Sequence, residues 1–515
     1  MFYPSISEIL PYKSSATLIP ISFKVWTDNV TPIRLFQQIQ GPYSFLLESV
    51  EGGEKWARYS FIGNNPFLIF SAQNGQAFIE KNVEGQFHKE PIAGQPIKVL
   101  QQLLKKYQVP KNLELPRFSG GAVGYIGYDA VSLVEKIPAH TVNTLEQNQM
   151  RLMFCDDIIA FDHLQQEITF ISHLFLNPED TQEEIEQKYA KVCQKIHRRI
   201  EDVFGKIQAD RFRIFQAPAK KLDVDWGKVT SNFTKDGFMD AVEQVKEYIR
   251  AGDIFQTVLS QRFSLDIKTD PLNIYRVLRL VNPSPYLYYL DLGEGSQLVG
   301  SSPERLVQME DGKVETNPIA GTRHRGKSVE EDEALAAELL ADEKERAEHH
   351  MLLDLGRNDI GRISEYGSVV VKKKMEIERF SHVMHIVSTV EGQIKKSVDA
   401  VDCLFSCFPA GTVSGAPKIR AMEIIAELER EARNTYAGAI GYFSFSGNLD
   451  SCITIRTIFV REGKAYVQAG AGIVADSVPE KEWEETRNKA KALLVAIQMA
   501  EEMFDAQGEE VSIHV

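Results

Sequence analysis

Apolar and polar positions follow two rhythms along this chain, and the rhythm changes often. Residues 178–208, "PEDTQEEIEQKYAKVCQKIHRRIEDVFGKIQ", repeat apolar side chains at helical spacing among charges, which predicts a long amphipathic helix after Asn177-Pro178. The stretch to about residue 230 keeps no helical period, so a join near 210–230 divides the chain into parts 1–225 and 226–515. From 235 onward helices and strands alternate. "FMDAVEQVKEYIRAGDIFQTVLSQRF" predicts a helix ending at Gly252 and then a strand, and "EEDEALAAELLADEKERAEHHMLLDLGRND" predicts one long helix. "SVVVKKKMEIERF" and "VMHIVSTVEGQI" read as strands, and "SGAPKIRAMEIIAELE" as a helix capped by Ser414. "KAYVQAGAGIVADS" reads as a strand leading to a last helix from about 478 to 505.

The first part is mostly strand-like. "GGAVGYIGYDAV" (120–131) spaces Gly121, Gly124 and Gly127 unlike a dinucleotide loop, and no good helix follows it. "YAGAIGYFSFSGNLDSCITIRTIFV" (436–460) echoes it. Glycine inside a strand marks close backbone approach, so two facing sheets are the simplest explanation.

Composition narrows the function classes. At 515 residues and 43% hydrophobic content the chain can bury a large core, and a net charge of −14 disfavours nucleic acid as a partner. No apolar run approaches the ~20 residues of a membrane helix, and the N-terminus lacks the pattern of a signal peptide. The five cysteines (Cys155, Cys193, Cys403, Cys407, Cys452) are scattered and lack the spacing of a zinc site; reduced buried thiols and a cytoplasmic location are expected.

The last helix, "SVPEKEWEETRNKAKALLVAI", opens with Ser477 and Glu480 in capping-box spacing. Trp483, Arg487, Ala490, Leu494 and Ile497 form a stripe toward the core, while Glu482, Glu485 and Lys489 form a separate polar stripe. Glu345 and Glu348 make a second acid pair one turn apart. Two such pairs fit either solvated surfaces or one hard cation held by oxygen, Mg²⁺ rather than zinc. Gly470 and Gly472 offer bare N–H groups near a helix start. Arg456 interrupts an apolar strand, so it meets either an internal acid or a ligand carboxylate. His385 in "VMHIVSTV" reads first as structural. "FPAGTVSGAPK" fails the phosphate-loop pattern.

Taken together, "LLESVEGGEKWARYSFIG", "PIAGTRHRG", "EHHMLLDLGRNDIGRI", "FPAGTVSGAPKIRAMEII", "YAGAIGY" and "AGAGIVADSVPEKEWEET" resemble, in this order, the chorismate-utilising enzymes, above all component I of the anthranilate synthases. The resemblance implies an α+β fold of two large, mostly antiparallel sheets packed as a sandwich with helices outside. It implies a tryptophan-binding regulatory part (1–225) and a chorismate-binding catalytic part (226–515). It implies Mg²⁺ on Glu348 and Glu485 with Glu345 and Glu482 beside them, and substrate contacts from Gly321, Thr322, Tyr436, Arg456, Gly470, Gly472 and Lys489. Glu304 matches the general acid that protonates the departing 4-hydroxyl, and His385 assists the elimination.

Relatives that make aminodeoxychorismate carry a nucleophilic lysine where this chain has Ala320, and relatives that add water carry a lysine base where it has Gln256. With neither amine, the expected nucleophile is ammonia and the expected products are anthranilate and pyruvate. No room remains for a glutaminase domain, so a separate glutamine amidotransferase subunit is the expected ammonia source. The family likeness also implies feedback inhibition by tryptophan, bound by Glu48, Ser49, Arg58, Pro285, Tyr286 and Tyr442. The alternatives are another chorismate enzyme, making aminodeoxychorismate or isochorismate, and an idle tryptophan sensor.

Overall fold

A computed structural model describes residues 1–49, 58–83, 86–210, 222–380 and 383–504. The strands form two 12-stranded sheets. In the first, Leu18–Trp26, Glu167–Phe175, Asp157–Asp162, Tyr59–Gly63 and Phe45–Glu48 are followed by Tyr286–Asp291, Ser296–Ser302, Thr457–Arg461, Lys464–Ile473 and Gln256–Asp266. In the second, Ile319–His324, Val383–Gln393, Lys313–Thr316, Arg305–Glu310, Leu449–Ile453 and Ala439–Ser444 are followed by Gly121–Ile126, Met150–Cys155, Leu68–Gln73 and two more strands.

Each sheet therefore continues through both parts of the chain, and the seams are antiparallel ladders. At one seam Glu48 lies opposite Leu287; at the other Gly124 lies opposite Gly441. The two glycine-rich segments thus meet edge to edge within one sheet, where the sequence suggested strands in facing sheets. The close approach itself is real: a Cβ on Gly124 would lie 2.0 Å from the Arg151 carbonyl oxygen, and one on Gly441 would lie 2.1 Å from that of Asp450.

Phe45, Phe61, Tyr288 and Leu298 of the first sheet interdigitate with Val123, Met153, Ile440 and Tyr442 of the second, forming the core of the sandwich. The helices Pro32–Ile39, Gln182–Ala209, Pro271–Val281 and Pro479–Phe504 bury their apolar stripes on the first sheet. Pro96–Lys106, Glu343–Ile363 and Ala400–Cys407 pack on the second.

The helix expected after Asn177-Pro178 starts at Gln182, because the Thr181 hydroxyl and the Glu184 carboxylate close a capping box there. Residues 211–221 of the expected join lie outside the described residues. The single long helix expected around 330–359 is two, Val329–Ala341 and Glu343–Ile363. Asp342 separates them by accepting from the Lys344 and Glu345 N–H groups at 3.0 and 3.2 Å. Ser414 does not cap a helix. It is buried and donates to the Ala410 carbonyl, while Lys418–Glu429 begins after Pro417. Glu480 faces Lys235 at 2.5 Å, and the Ser477 hydroxyl accepts from the Val474 N–H. Of the last helix's apolar stripe, Ala490, Leu494 and Ile497 are buried. Arg487 instead stacks between Trp226 and Trp483, 3.8 and 4.5 Å from the ring centres.

Candidate active site

The chain passes between the sheets twice near one point, and each crossing carries a charged side chain. Glu304 lies between Ser296–Ser302 of the first sheet and Arg305–Glu310 of the second; Arg456 lies between Leu449–Ile453 and Thr457–Arg461. The crossings are tied to their neighbours by backbone: the Ile453 N–H donates to the Glu304 carbonyl and the Ser301 N–H to the Arg456 carbonyl, both at 3.0 Å. Arg456 holds a left-handed backbone (φ 51), an uncommon state for a non-glycine residue and one that clusters at functional sites.

The surroundings of Glu304 favour its acid form. Burial pushes its carboxyl up to about 7, although the Thr412 hydroxyl, donating at 2.9 Å, and the Lys489 charge both favour its ionised form. It is therefore partly protonated near neutral pH, the state a proton donor needs. Thr412 was not singled out from the sequence; a threonine in the single 3-10 turn Gly411–Val413 carries no periodic signal.

His385 sits opposite Thr322 in the ladder between Ile319–His324 and Val383–Gln393. Its Nδ1 lies 3.0 Å from both the Thr322 hydroxyl and the Gly321 carbonyl oxygen. A carbonyl only accepts, so Nδ1 carries the proton and Nε2 keeps the lone pair of the neutral ring. Burial, with the Arg456 charge also acting downward, favours that neutral ring. Gly321 adopts φ 71, a conformation that favours glycine, and its α-carbon faces the Glu345 carboxylate: an added Cβ would lie 3.2 Å from Oε2.

The two acid pairs occupy the helices Glu343–Ile363 and Pro479–Phe504. Burial and the neighbouring Glu345 push the Glu348 carboxyl up, opposed by a hydrogen bond from Gln256. Glu482 is likewise pushed up by burial and by Glu485, and both Glu348 and Glu482 feel the charges of Lys344 and Lys489. Lys489 pairs with Glu485 at 2.7 Å, donates to the Gly470 carbonyl at 3.0 Å, and its own carbonyl accepts from Arg456 at 2.7 Å. Arg323 pairs with Glu345 at 3.4 Å and with Asp342 at 3.0 Å. Among the described residues no three Asp, Glu, His or Cys side chains are grouped closely enough to hold a metal ion. In this arrangement Arg323 and Lys489 supply positive charge to one acid of each pair.

The strand Lys464–Ile473 brings Gly470 and Gly472 opposite Ser260 and Val258. A Cβ on Gly470 would lie 2.8 Å from the Tyr436 hydroxyl, and one on Gly472 would lie 2.7 Å from the Gln256 amide nitrogen. These glycines keep the strand low beneath Tyr436, Gln256 and Lys489. Charge interactions also link Arg456 to Tyr436 and Glu485.

The model for chorismate binding enzymes matches residues 43–495, which include the second sheet, most of the first, and Glu304, His385, Arg456 and Lys489. The chain belongs to the chorismate-binding enzyme family. It is 50% identical over 507 residues to anthranilate synthase component 1 of Acetivibrio thermocellus, covering 98% of this chain and all of that one. To the protein of that name from Bacillus subtilis it is 46% identical, covering 98% and 97%. Among solved structures, anthranilate synthase component I from Streptococcus pneumoniae superposes with a TM-score of 0.70 at 39% identity, covering 91% of this chain and 99% of that one. The menaquinone-specific isochorismate synthase of Escherichia coli has a TM-score of 0.67 at 19% identity over 96% and 99%, a likeness of fold.

Apart from this site, a cavity of about 540 Å³ with its open mouth included lies between the sheets at the seam. It gathers Glu48, Ser49, Pro285, Tyr286 and Tyr442, five residues that the family resemblance placed together. Glu48 is buried and accepts from the Tyr275 hydroxyl at 2.5 Å, and the Ser49 hydroxyl is buried with no hydrogen-bond partner among the described residues. Arg58 does not line this cavity; its guanidinium bonds Asp162 at 3.0 Å and stacks on Tyr59. Arg117, Arg305 and Asp450 line it and were missed. The signal that drew attention to Arg456, a charge interrupting an apolar strand, was also present at Arg305 and Asp450.

Proposed function

We propose that this chain is the large component of an anthranilate synthase, converting chorismate and ammonia to anthranilate and pyruvate. The observation that carries the reading is a site with an acid poised near neutrality and no amine at either nucleophile-generating position. Ala320 is buried opposite Ile386, and Gln256, beside Gly472, donates to Glu348. Neither side chain attacks the ring or takes a proton from water, whereas neutral ammonia is already a nucleophile. The near full-length likeness to proteins named anthranilate synthase component 1 supports the same product.

In this reading Glu304 gives its proton to the departing 4-hydroxyl while ammonia adds at C2. His385, through Nε2, takes the ring proton as the enolpyruvyl group leaves and the ring becomes aromatic. Arg456, Lys489 and the Gly470–Gly472 backbone hold the carboxylates. The four glutamates supply the donor type that Mg²⁺ prefers, oxygen alone, although among the described residues no three acids are grouped as a closed site. Glu348 and Glu485 would hold the ion with Glu345 and Glu482 beside them, and it would supply positive charge at the ring carboxylate.

The orphaned Ser49 hydroxyl and the Glu48 carboxylate favour an amino-acid ligand in the inter-sheet cavity, which we assign to tryptophan as inhibitor. A separate glutamine amidotransferase subunit would deliver the ammonia.

Chorismate, Mg²⁺ and ammonium salt, incubated with this chain alone, should yield a fluorescent product with one pyruvate for each molecule formed. Accumulation of isochorismate or aminodeoxychorismate without pyruvate would overturn the reading.

A further inference from the structure

Two cavities in the sandwich share a wall. One is the inter-sheet pocket containing Glu48, Ser49 and Tyr286; the other, about 430 Å³ with its open mouth included, is lined by Glu304, Thr412, Asn317 and Asp359. Among the described residues Arg305 alone lines both. It directly follows the proton donor Glu304 in the chain, at the bulged start of its strand.

Its guanidinium is 5% exposed and its nitrogens are committed in both directions. Nε donates to the Tyr286 hydroxyl at 2.9 Å, and that hydroxyl donates onward to Asp450, also at 2.9 Å. One terminal nitrogen donates to Glu315 at 2.5 Å and to Asn317 at 3.0 Å. The Asn317 amide in turn donates to Thr389 at 3.0 Å, on the strand that carries His385, and Asn317 leads into the strand Ile319–His324 that carries Thr322.

The physics of this arrangement is unforgiving. A guanidinium is a rigid planar fork, so its donors cannot be re-aimed one at a time. A buried charge that loses a partner pays a desolvation cost, so the group moves with its partners rather than parting from them. A ligand that draws Tyr286 or Asp450 toward itself therefore pulls on the plane that also orients Asn317, and on the backbone that carries Glu304.

We propose that Arg305 is a positioning residue that couples occupancy of the inter-sheet pocket to the placement of Glu304 and of the segment 317–322. The proposal rests on the reading of that pocket as the tryptophan site.

The test is a thermodynamic cycle on the full-length chain. Tryptophan is titrated calorimetrically with and without saturating chorismate, ammonium and glutamine being omitted so that no turnover occurs. The coupling factor is the ratio of the two dissociation constants, and by linkage it must appear reciprocally in chorismate binding. Typical coupling is roughly 5- to 150-fold, so wild type should show about tenfold or more. Arg305→Lys should still bind tryptophan but with its coupling factor reduced to about twofold or less, and saturating tryptophan should leave substantial activity. A purely structural arginine would lower stability or basal rate and leave the ratio intact; an unchanged ratio overturns the proposal. Should Arg305→Lys fail to fold, Tyr286→Phe removes the acceptor of Nε while keeping the ring, and the same loss of coupling is expected; an unchanged ratio there is equally fatal. Ser49→Phe separates the two readings. If it leaves tryptophan affinity unaltered, the pocket assignment is wrong; if it abolishes binding while the arginine variant keeps its coupling, only the role of Arg305 is wrong.

Discussion

At the scale of single residues, burial decides the chemistry. Glu304 resembles any other glutamate in the sequence, yet its place at a crossing between sheets lifts its carboxyl to about 7. A group whose folded value is raised is in its acid form below that value and loses its proton as the pH climbs through it. The rate at constant free ammonia should therefore fall above about pH 7, and Glu304→Gln should lower turnover by about 10²–10⁴-fold at all pH values. Thr412 donates to the carboxylate and favours its charged form, so Thr412→Val should shift the descending limb to higher pH. A limb that stays in place or moves down would remove Glu304 as the proton donor. The missing amines at Ala320 and Gln256 could be read once the family resemblance had marked those positions. Thr412 was not, since its partner lies 108 positions away.

At the scale of elements, short-range signals fared well where the partner was local and poorly where it was distant. Thr181 with Glu184, and Gly252 in its left-handed conformation, close helices with residues that the pattern contains. The break at Asp342 was invisible because helical periodicity runs through it. There the aspartate caps the second helix while Arg323, from a strand, holds it in place. Asp342→Ala should cost about 1 kcal/mol in urea unfolding, and an unchanged midpoint would mean that the cap contributes nothing. The glycine seam should be far less tolerant. Gly124→Ala places a methyl 2.0 Å from a carbonyl oxygen in a fully paired strand, so it should destabilise by more than the ~1–3 kcal/mol of ordinary overpacking. Wild-type stability in that variant would contradict the ladder at the seam.

At the scale of the whole molecule, function depends on what the two sheets bring together. Turnover should vanish with excess chelator and return with Mg²⁺; full activity in chelator would end the oxygen-ligand reading of the four glutamates. Ser49→Phe should fill the space before the orphaned hydroxyl and raise the tryptophan concentration for half-inhibition by at least about tenfold, roughly the loss of 1.4 kcal/mol of binding. The acid pairs and the glycine strands could be read from residue type and near spacing, whereas the absent amines and most of the pocket residues were marked only by the resemblance to a known family. Only the tertiary structure turned Arg58 toward Asp162, placed Arg305 between two cavities, and paired Arg323 with Glu345. Those outcomes depend on which groups meet between segments that local spacing does not relate, and at Arg305 burial makes an unpaired charge too costly to leave.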